Sequence, residues 1–123
     1  MAIQRVIRKV RDGLLRLRQR QRIQSISRYL QSSAEYDPQQ SPVIFFNAST
    51  RLEGLSQNAA FALIASWGLQ ASRVPVIHFG CQSGMSQCVL GTALGKPLDP
   101  MPCKGCIRDT RLFTRAAPTV WFD

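Results

Sequence analysis

Long apolar runs are absent from this sequence of 123 residues. No segment approaches the ~18–20 apolar residues that a membrane-spanning helix needs. The first 22 residues also lack the apolar core of ~7–15 residues that marks a secretory signal peptide. Histidine occurs once, and residues 1–33 contain a single aromatic side chain. Base stacking therefore has no support in that segment, and nucleic acid is not expected as a partner.

Positive charge is present in excess, and it is unevenly distributed. The net charge is +9, yet residues 1–33 alone contain nine lysines and arginines against one aspartate. Residues 34–123 are nearly neutral, with seven basic and six acidic side chains. The basicity therefore belongs to the N-terminal segment, which indicates a local contact with something acidic.

The N-terminal segment, residues 1–33, has helical periodicity. One apolar stripe consists of Ile3, Ile7, Val10, Leu14 and Leu17, and a second, of Ile23, Ile26 and Leu30, is rotated by roughly 180° on an ideal helical wheel. This rotation predicts two helical pieces with a bend near residues 18–22. A basic amphipathic helix is typical of a protein that lies on an anionic membrane surface, here from the cytoplasmic side. A transit peptide, a nucleic-acid contact and a helix docked on another part of the protein are the alternatives.

The remainder predicts an α/β domain. Residues 34–42 are a linker that contains Asp37-Pro38 and Ser41-Pro42, and 43–46 form a short apolar strand. Ser56 caps a well-buried helix over 57–70, and strands follow over 74–79 and 119–122, with helices over 85–94 and 107–114. Helical crossovers imply parallel strands. We expect a partial Rossmann-like, three-layer domain over 43–123 with a short parallel sheet, completed by a missing C-terminal domain or a partner subunit.

Four cysteines follow the second predicted strand. Their spacing is Cys81-x6-Cys88-x14-Cys103-x2-Cys106, and four thiolates suit a tetrahedral Zn²⁺ ion. The first half-site is looser than usual, so an iron–sulfur cluster, free thiols or one C-x-x-C disulfide stay open. His78, the only histidine, is predicted as a hydrogen-bonded core residue rather than a ligand.

Polar residues follow the first predicted strand: Asn47, Ser49, Thr50, Arg51 and Glu53. Ligands of open parallel sheets bind outside the carboxyl ends of the strands, so these residues are candidates for contacting a ligand. The alternative is that Arg51 and Glu53 are solvated loop charges.

Three stretches resemble the N-terminal part of bacterial two-Rossmann-domain (GT-B type) glycosyltransferases of surface-polysaccharide synthesis. They are VIFFNASTRLEGLSQNAAFALIASWGL, VPVIHFGCQSGMSQCVLGT and PMPCKGCIRDTRLF. The resemblance implies an acceptor-side domain for a lipid-linked or cell-surface saccharide, with 47–53 facing the acceptor cleft. It also implies that the nucleotide-sugar donor binds outside this chain. The competing hypothesis is a non-enzymatic zinc-binding interaction module whose arginine-rich helix binds an acidic partner.

Overall fold

The computed structural model describes residues 2–33, 35–46, 56–84, 88 and 103–123. Within these ranges it contains helices α1 (Ala2–Ser33), α2 (Gln57–Ala71) and α3 (Cys103–Phe113). The strands are β1 (Val43–Phe46), β2 (Val76–Cys81) and β3 (Thr119–Phe122). The chain is therefore an α/β protein, as predicted. The finer Rossmann-like, three-layer arrangement stays a prediction.

Helix α1 is continuous, so the expected division into two helical pieces is wrong. The two apolar stripes lie on opposite sides of one helix, and their environments differ. Ile23 and Leu30 of the second stripe are buried, together with Ser27. Every described side chain from Ile3 to Gln19 is exposed. We call this exposed part, residues 3–19, the arm. One straight helix accommodates both stripes, because the second half of α1 packs on the body of the protein while the arm extends into water.

The sheet is parallel, as the sequence predicted, and its order is β1-β2-β3. Phe45 pairs with His78, and His78 pairs with Thr119. Strand β2 begins two residues later than predicted and extends to Cys81, because its last residues pair with Trp121 and Phe122 of β3. Helix α3 begins at Cys103, four residues earlier than predicted. The predicted helix over 85–94 falls outside the described residues, apart from Cys88.

The core lies between the three helices and one face of the sheet. It contains one buried side chain from each helix, Ile23, Leu63 and Phe113. On β2 the buried residues alternate as Val76, His78 and Gly80. Crossover connections in parallel sheets are almost always right-handed. When two successive crossovers run in the same direction across the sheet, as here from β1 to β2 to β3, their helices lie on the same face. Helices α2 and α3 therefore share a side of the sheet, and α1 packs on both.

Helix α2 begins where the sequence predicted. The Ser56 side chain accepts a hydrogen bond from the backbone N–H of Ala59, at 3.2 Å, which caps the helix. The expectation that α2 is well buried is wrong, because Phe61 and Ile64 are 76% and 65% exposed. Only one side of α2 reaches the sheet and core.

Candidate functional site

The carboxyl edge of the sheet is the first candidate region. Beyond β2 the chain turns through Gln82, Ser83 and Gly84, with Ser83 in the left-handed region at φ 70°. The Gln82 N–H donates to the Phe122 carbonyl at 2.7 Å. A Cβ at Gly84 would lie 2.7 Å from the backbone of Asp123, so glycine is required for this close approach. The turn is thereby fixed against the end of β3.

The predicted ligand-binding residues Asn47, Ser49, Thr50, Arg51 and Glu53 lie outside the described residues. Their role stays a prediction. The structure does describe Phe46, which ends β1 at the carboxyl edge of the sheet and pairs with Phe79 of β2. This is the edge at which open parallel sheets bind ligands.

All four cysteines are described, and each is half-buried without a disulfide. Cys103 and Cys106 occupy the start of α3, three residues apart and therefore on neighbouring positions of one helix face. Cys81 ends β2 and pairs in register with Phe122. Across the described residues, no group of three or more histidine, cysteine or acidic side chains converges as metal ligands would. The proposed zinc ligands thus include one C-x-x-C pair on α3, and the metal site stays a prediction.

His78 lies in the middle of the central strand and is 5% exposed. Its ring is 5.8 Å from that of Phe45, and its Nε2 atom has no hydrogen-bond partner among the described residues. Burial lowers the pKa of His78 from 6.5 to about 4, because the charged form loses its hydration. The imidazole is therefore neutral at pH 7. The sequence predicted a core histidine correctly, but not the unpaired nitrogen.

Trp121 covers Gly80 on the helix-bearing face of the sheet. A Cβ at Gly80 would meet two Trp121 ring atoms at 3.0 Å. The Arg111 guanidinium lies 5.3 Å from the Trp121 ring centroid, in cation–π geometry. The Thr114 and Thr119 hydroxyls are 2.9 Å apart on the same side. These contacts hold α3 against β3.

Asp109 is a buried carboxylate that sequence reasoning missed. Its side chain is 3% exposed, and Oδ1 accepts from Arg20 of α1 at 3.3 Å and from Arg108 at 3.1 Å. One arginine of the basic segment is therefore used inside the protein. The sequence pattern that could have identified Asp109 as buried is its helical spacing. It lies three residues after Cys106 and four before the buried Phe113, on one helix face.

The arm combines an apolar stripe with arginines that have few internal partners. Ile3, Ile7, Val10, Leu14 and Leu17 are between 54% and 76% exposed. The arm's ion pair in the described part of the chain joins Arg11 and Asp12 at 3.8 Å, with both side chains largely in water. The docked residues Ile23 and Leu30 lie on the opposite side of α1, so the body of the protein does not obstruct the stripe. Among the described helices, none has the length and apolar character needed to cross a membrane.

The second face of the sheet is apolar and carries none of the described helices. Phe79 stacks on Phe46 and Phe122, with ring centroids 5.2 and 5.5 Å away. Around this cluster Ile44, Phe46 and Val120 are 63%, 70% and 48% exposed. Parallel sheets are almost always covered on both faces. Within the described part of the chain, this face stays exposed to water.

Comparison with known proteins gives no relative. No protein-family model matches the chain, and neither a curated protein nor a solved structure is significantly similar to it.

Proposed function

We propose that this chain is the membrane-peripheral, N-terminal part of a glycosyltransferase that acts on a lipid-linked or cell-surface polysaccharide acceptor. The observation that carries the proposal is the arm: an exposed helix with aliphatic side chains along one side and six basic residues in 5–18. Such a helix lies in the interface of an anionic membrane with its aliphatic side chains among the acyl chains. The enzyme would thereby meet a lipid-linked acceptor at the surface that carries it.

The sheet supports the catalytic part of the proposal. A short parallel sheet with both crossover helices on one face resembles the first winding of a doubly wound domain. The apolar face formed around Phe46, Phe79 and Phe122 then packs against the remaining layer, which belongs to a further domain or a partner subunit. Asn47, Ser49, Thr50, Arg51 and Glu53 would contact the acceptor from the carboxyl edge, and the nucleotide-sugar donor would bind in the other domain.

Vesicle co-sedimentation tests the membrane role. Replacing Arg5, Arg8, Arg11 and Arg16 by glutamine removes four charges, each worth ~1 kcal/mol at an anionic surface, so binding should weaken by roughly a thousandfold. Leu14→Asp should weaken binding at every salt concentration, because it places a charge in the stripe. Lys104→Gln/Arg115→Gln removes two charges from exposed positions of the body. It is the control for Arg5→Gln/Arg8→Gln, which removes two charges from the arm. Equal binding by all variants would reject the membrane role.

Truncation must respect the docked half of α1. A chain starting at Ser41 would lose Ile23 and Leu30 from the core, so its failure to bind would be uninterpretable. A chain starting at Gln19 removes the exposed residues up to Arg18 and keeps the buried Ile23 and Leu30. This truncated protein should keep the circular dichroism of the body and lose vesicle binding.

Sugar transfer is tested separately, in membranes that contain the complete gene product. Transfer of labelled sugar from a nucleotide-sugar donor to a lipid-linked acceptor is the expected result, and Arg51→Gln or Glu53→Gln should raise the apparent KM for the acceptor. Membrane binding without transfer to any acceptor would reject the enzymatic half of the proposal.

A zinc-binding interaction module is the second candidate. The observation in its favour is the Cys103–Cys106 pair on the first turn of α3, half-buried and reduced. Elemental analysis should then find about one zinc per chain, lost in Cys103→Ser/Cys106→Ser, since four thiolates bind one ion. Metal-free protein of unchanged stability would remove this candidate.

A further inference from the structure

A groove lies between the middle of α1, where the arm meets the docked half, and the exposed side of α2. Its volume is about 380 Å³. The apolar lining consists of Leu15, Ile23, Ile26, Leu63, Ile64 and Trp67. Ile23 and Leu63 are buried, whereas Leu15, Ile26 and Ile64 are 55%, 40% and 65% exposed. Both walls are therefore aliphatic and in contact with water, and their apolar surface would gain from being covered.

The rim of the groove is positively charged. Arg18 and Arg22 lie four residues apart on the same side of α1, and no acidic residue lines the groove. In the described part of the chain neither arginine belongs to an ion pair, in contrast to the neighbouring Arg20. Two unpaired guanidinium groups beside an apolar groove favour a negatively charged head group, which they hold by charge-assisted hydrogen bonds.

We propose that this groove binds one anionic amphiphile, with its aliphatic chain between α1 and α2 and its acidic head group on Arg18 and Arg22. The site deepens the proposed function and rests on it for the source of the ligand, which is an anionic lipid of the membrane on which the arm lies. It is separate from the stripe of the arm, because Ile3, Ile7 and Val10 do not line it.

The size of the groove favours a single chain over a protein segment. Small-molecule sites occupy ~300–1,000 Å³, and 380 Å³ is near the lower end of that range. A docking helix is ~10–12 Å wide and spans several turns, which this volume does not accommodate. The indole N–H of Trp67 is enclosed and has no acceptor among the described residues. The acidic head group is assigned to Arg18 and Arg22, because these are the charged side chains that line the groove.

Trp67 is a reporter for the site. The second tryptophan, Trp121, lies on the sheet beside Gly80 and Arg111, so a Trp121→Phe background leaves the groove as the only source of indole fluorescence. Decyl phosphate, kept below its micelle concentration, should give a saturable change in fluorescence with one site per chain. Decyl maltoside, with the same chain and a neutral head, should bind about tenfold more weakly or not at all, because it lacks the charge-assisted contacts.

Matched variants separate this site from the arm. Arg18→Gln/Arg22→Gln should weaken decyl phosphate by about tenfold or more, and Ile64→Asp should abolish its binding. Arg5→Gln/Arg8→Gln removes the same charge from the arm, so it should weaken vesicle binding and leave decyl phosphate unchanged. Circular dichroism confirms that each variant is folded.

Three results would overturn the inference. They are equal binding of the two detergents, an unchanged affinity in Arg18→Gln/Arg22→Gln, and binding of an acidic amphipathic helical peptide at Trp67 in the absence of decyl phosphate binding. Each of them is independent of the vesicle and transfer experiments. If the protein binds vesicles but not decyl phosphate, the groove site is rejected and the membrane role stands. If it binds decyl phosphate but not vesicles, the membrane role is rejected and the groove site stands.

Discussion

The ion pair between Arg20 and Asp109 joins the docked half of α1 to α3, and its removal is the most informative stability experiment. Two unit charges 3.3 Å apart attract each other by about 5 kcal/mol at an effective dielectric constant of ~20. Desolvation of the carboxylate offsets much of this attraction. Arg20 is itself 40% exposed, and Arg108 stays on the carboxylate in the variant. We therefore expect Arg20→Gln to lower the free energy of unfolding by about 2 kcal/mol.

Urea unfolding followed by circular dichroism measures this loss, which corresponds to a fall in Tm of about 6–10 °C for a chain of this size. Arg16→Gln, one turn earlier and fully in the arm, is the control and should change stability by less than about 0.5 kcal/mol. A double-mutant cycle with Asp109→Asn isolates the coupling between the two side chains. If Arg20→Gln matched Arg16→Gln, or the coupling energy were zero, the pair would not fasten α1 to α3 and the reasoning would be refuted.

Two further predictions concern the sheet. The pKa of His78 is lowered to about 4 in the folded protein. Between pH 6.5 and pH 4 the unfolded chain is therefore protonated at His78 and the folded chain is not, so the free energy of unfolding falls as the pH decreases. Relative to His78→Gln, the parent protein should lose about 2 kcal/mol between pH 7 and pH 5, and a pH-independent difference would contradict the burial of a neutral imidazole. Gly80→Ala should cost about 1–3 kcal/mol by displacing Trp121, visible in near-ultraviolet circular dichroism. Gly68→Ala is its control: nothing lies within 4 Å, so a gain of about 0.5–1 kcal/mol is expected from helix propensity alone.

The sequence was sufficient for elements whose local pattern and environment agree. Val43–Phe46 is a continuous apolar run after a proline, and Ser56 precedes a long apolar segment, so β1 and α2 were predicted at their observed starts. The error in α1 has a physical cause. Periodicity reports which side chains share a side of a helix, but not whether that side faces the protein or water. Two stripes on opposite sides were therefore mistaken for a broken helix.

The candidate sites were less predictable because they depend on contacts between distant segments. Asp109 meets Arg20 across 89 positions of the chain, and neither residue is unusual in its own neighbourhood. The groove likewise requires α1 and α2 side by side, so Arg18 and Arg22 looked like ordinary members of a basic run. The cysteine hypothesis was based on spacing alone, and spacing does not specify which face of a strand or helix each thiol occupies.

The apolar sheet face, which no described helix covers, has a consequence for how the chain behaves in solution. Ile44, Phe46 and Val120 expose aliphatic and aromatic surface. Among the described residues, β1 and β3 are the edge strands of the sheet, and exposed strand edges promote pairing with other chains. Concentration-dependent association is therefore expected, with a sedimentation coefficient that rises across a dilution series. Phe46→Lys should suppress this association, because it places a charge on the exposed face, and it should leave the core of Ile23, Leu63 and Phe113 intact. In a crowded cell the same exposed apolar surface would also be a binding site for chaperones.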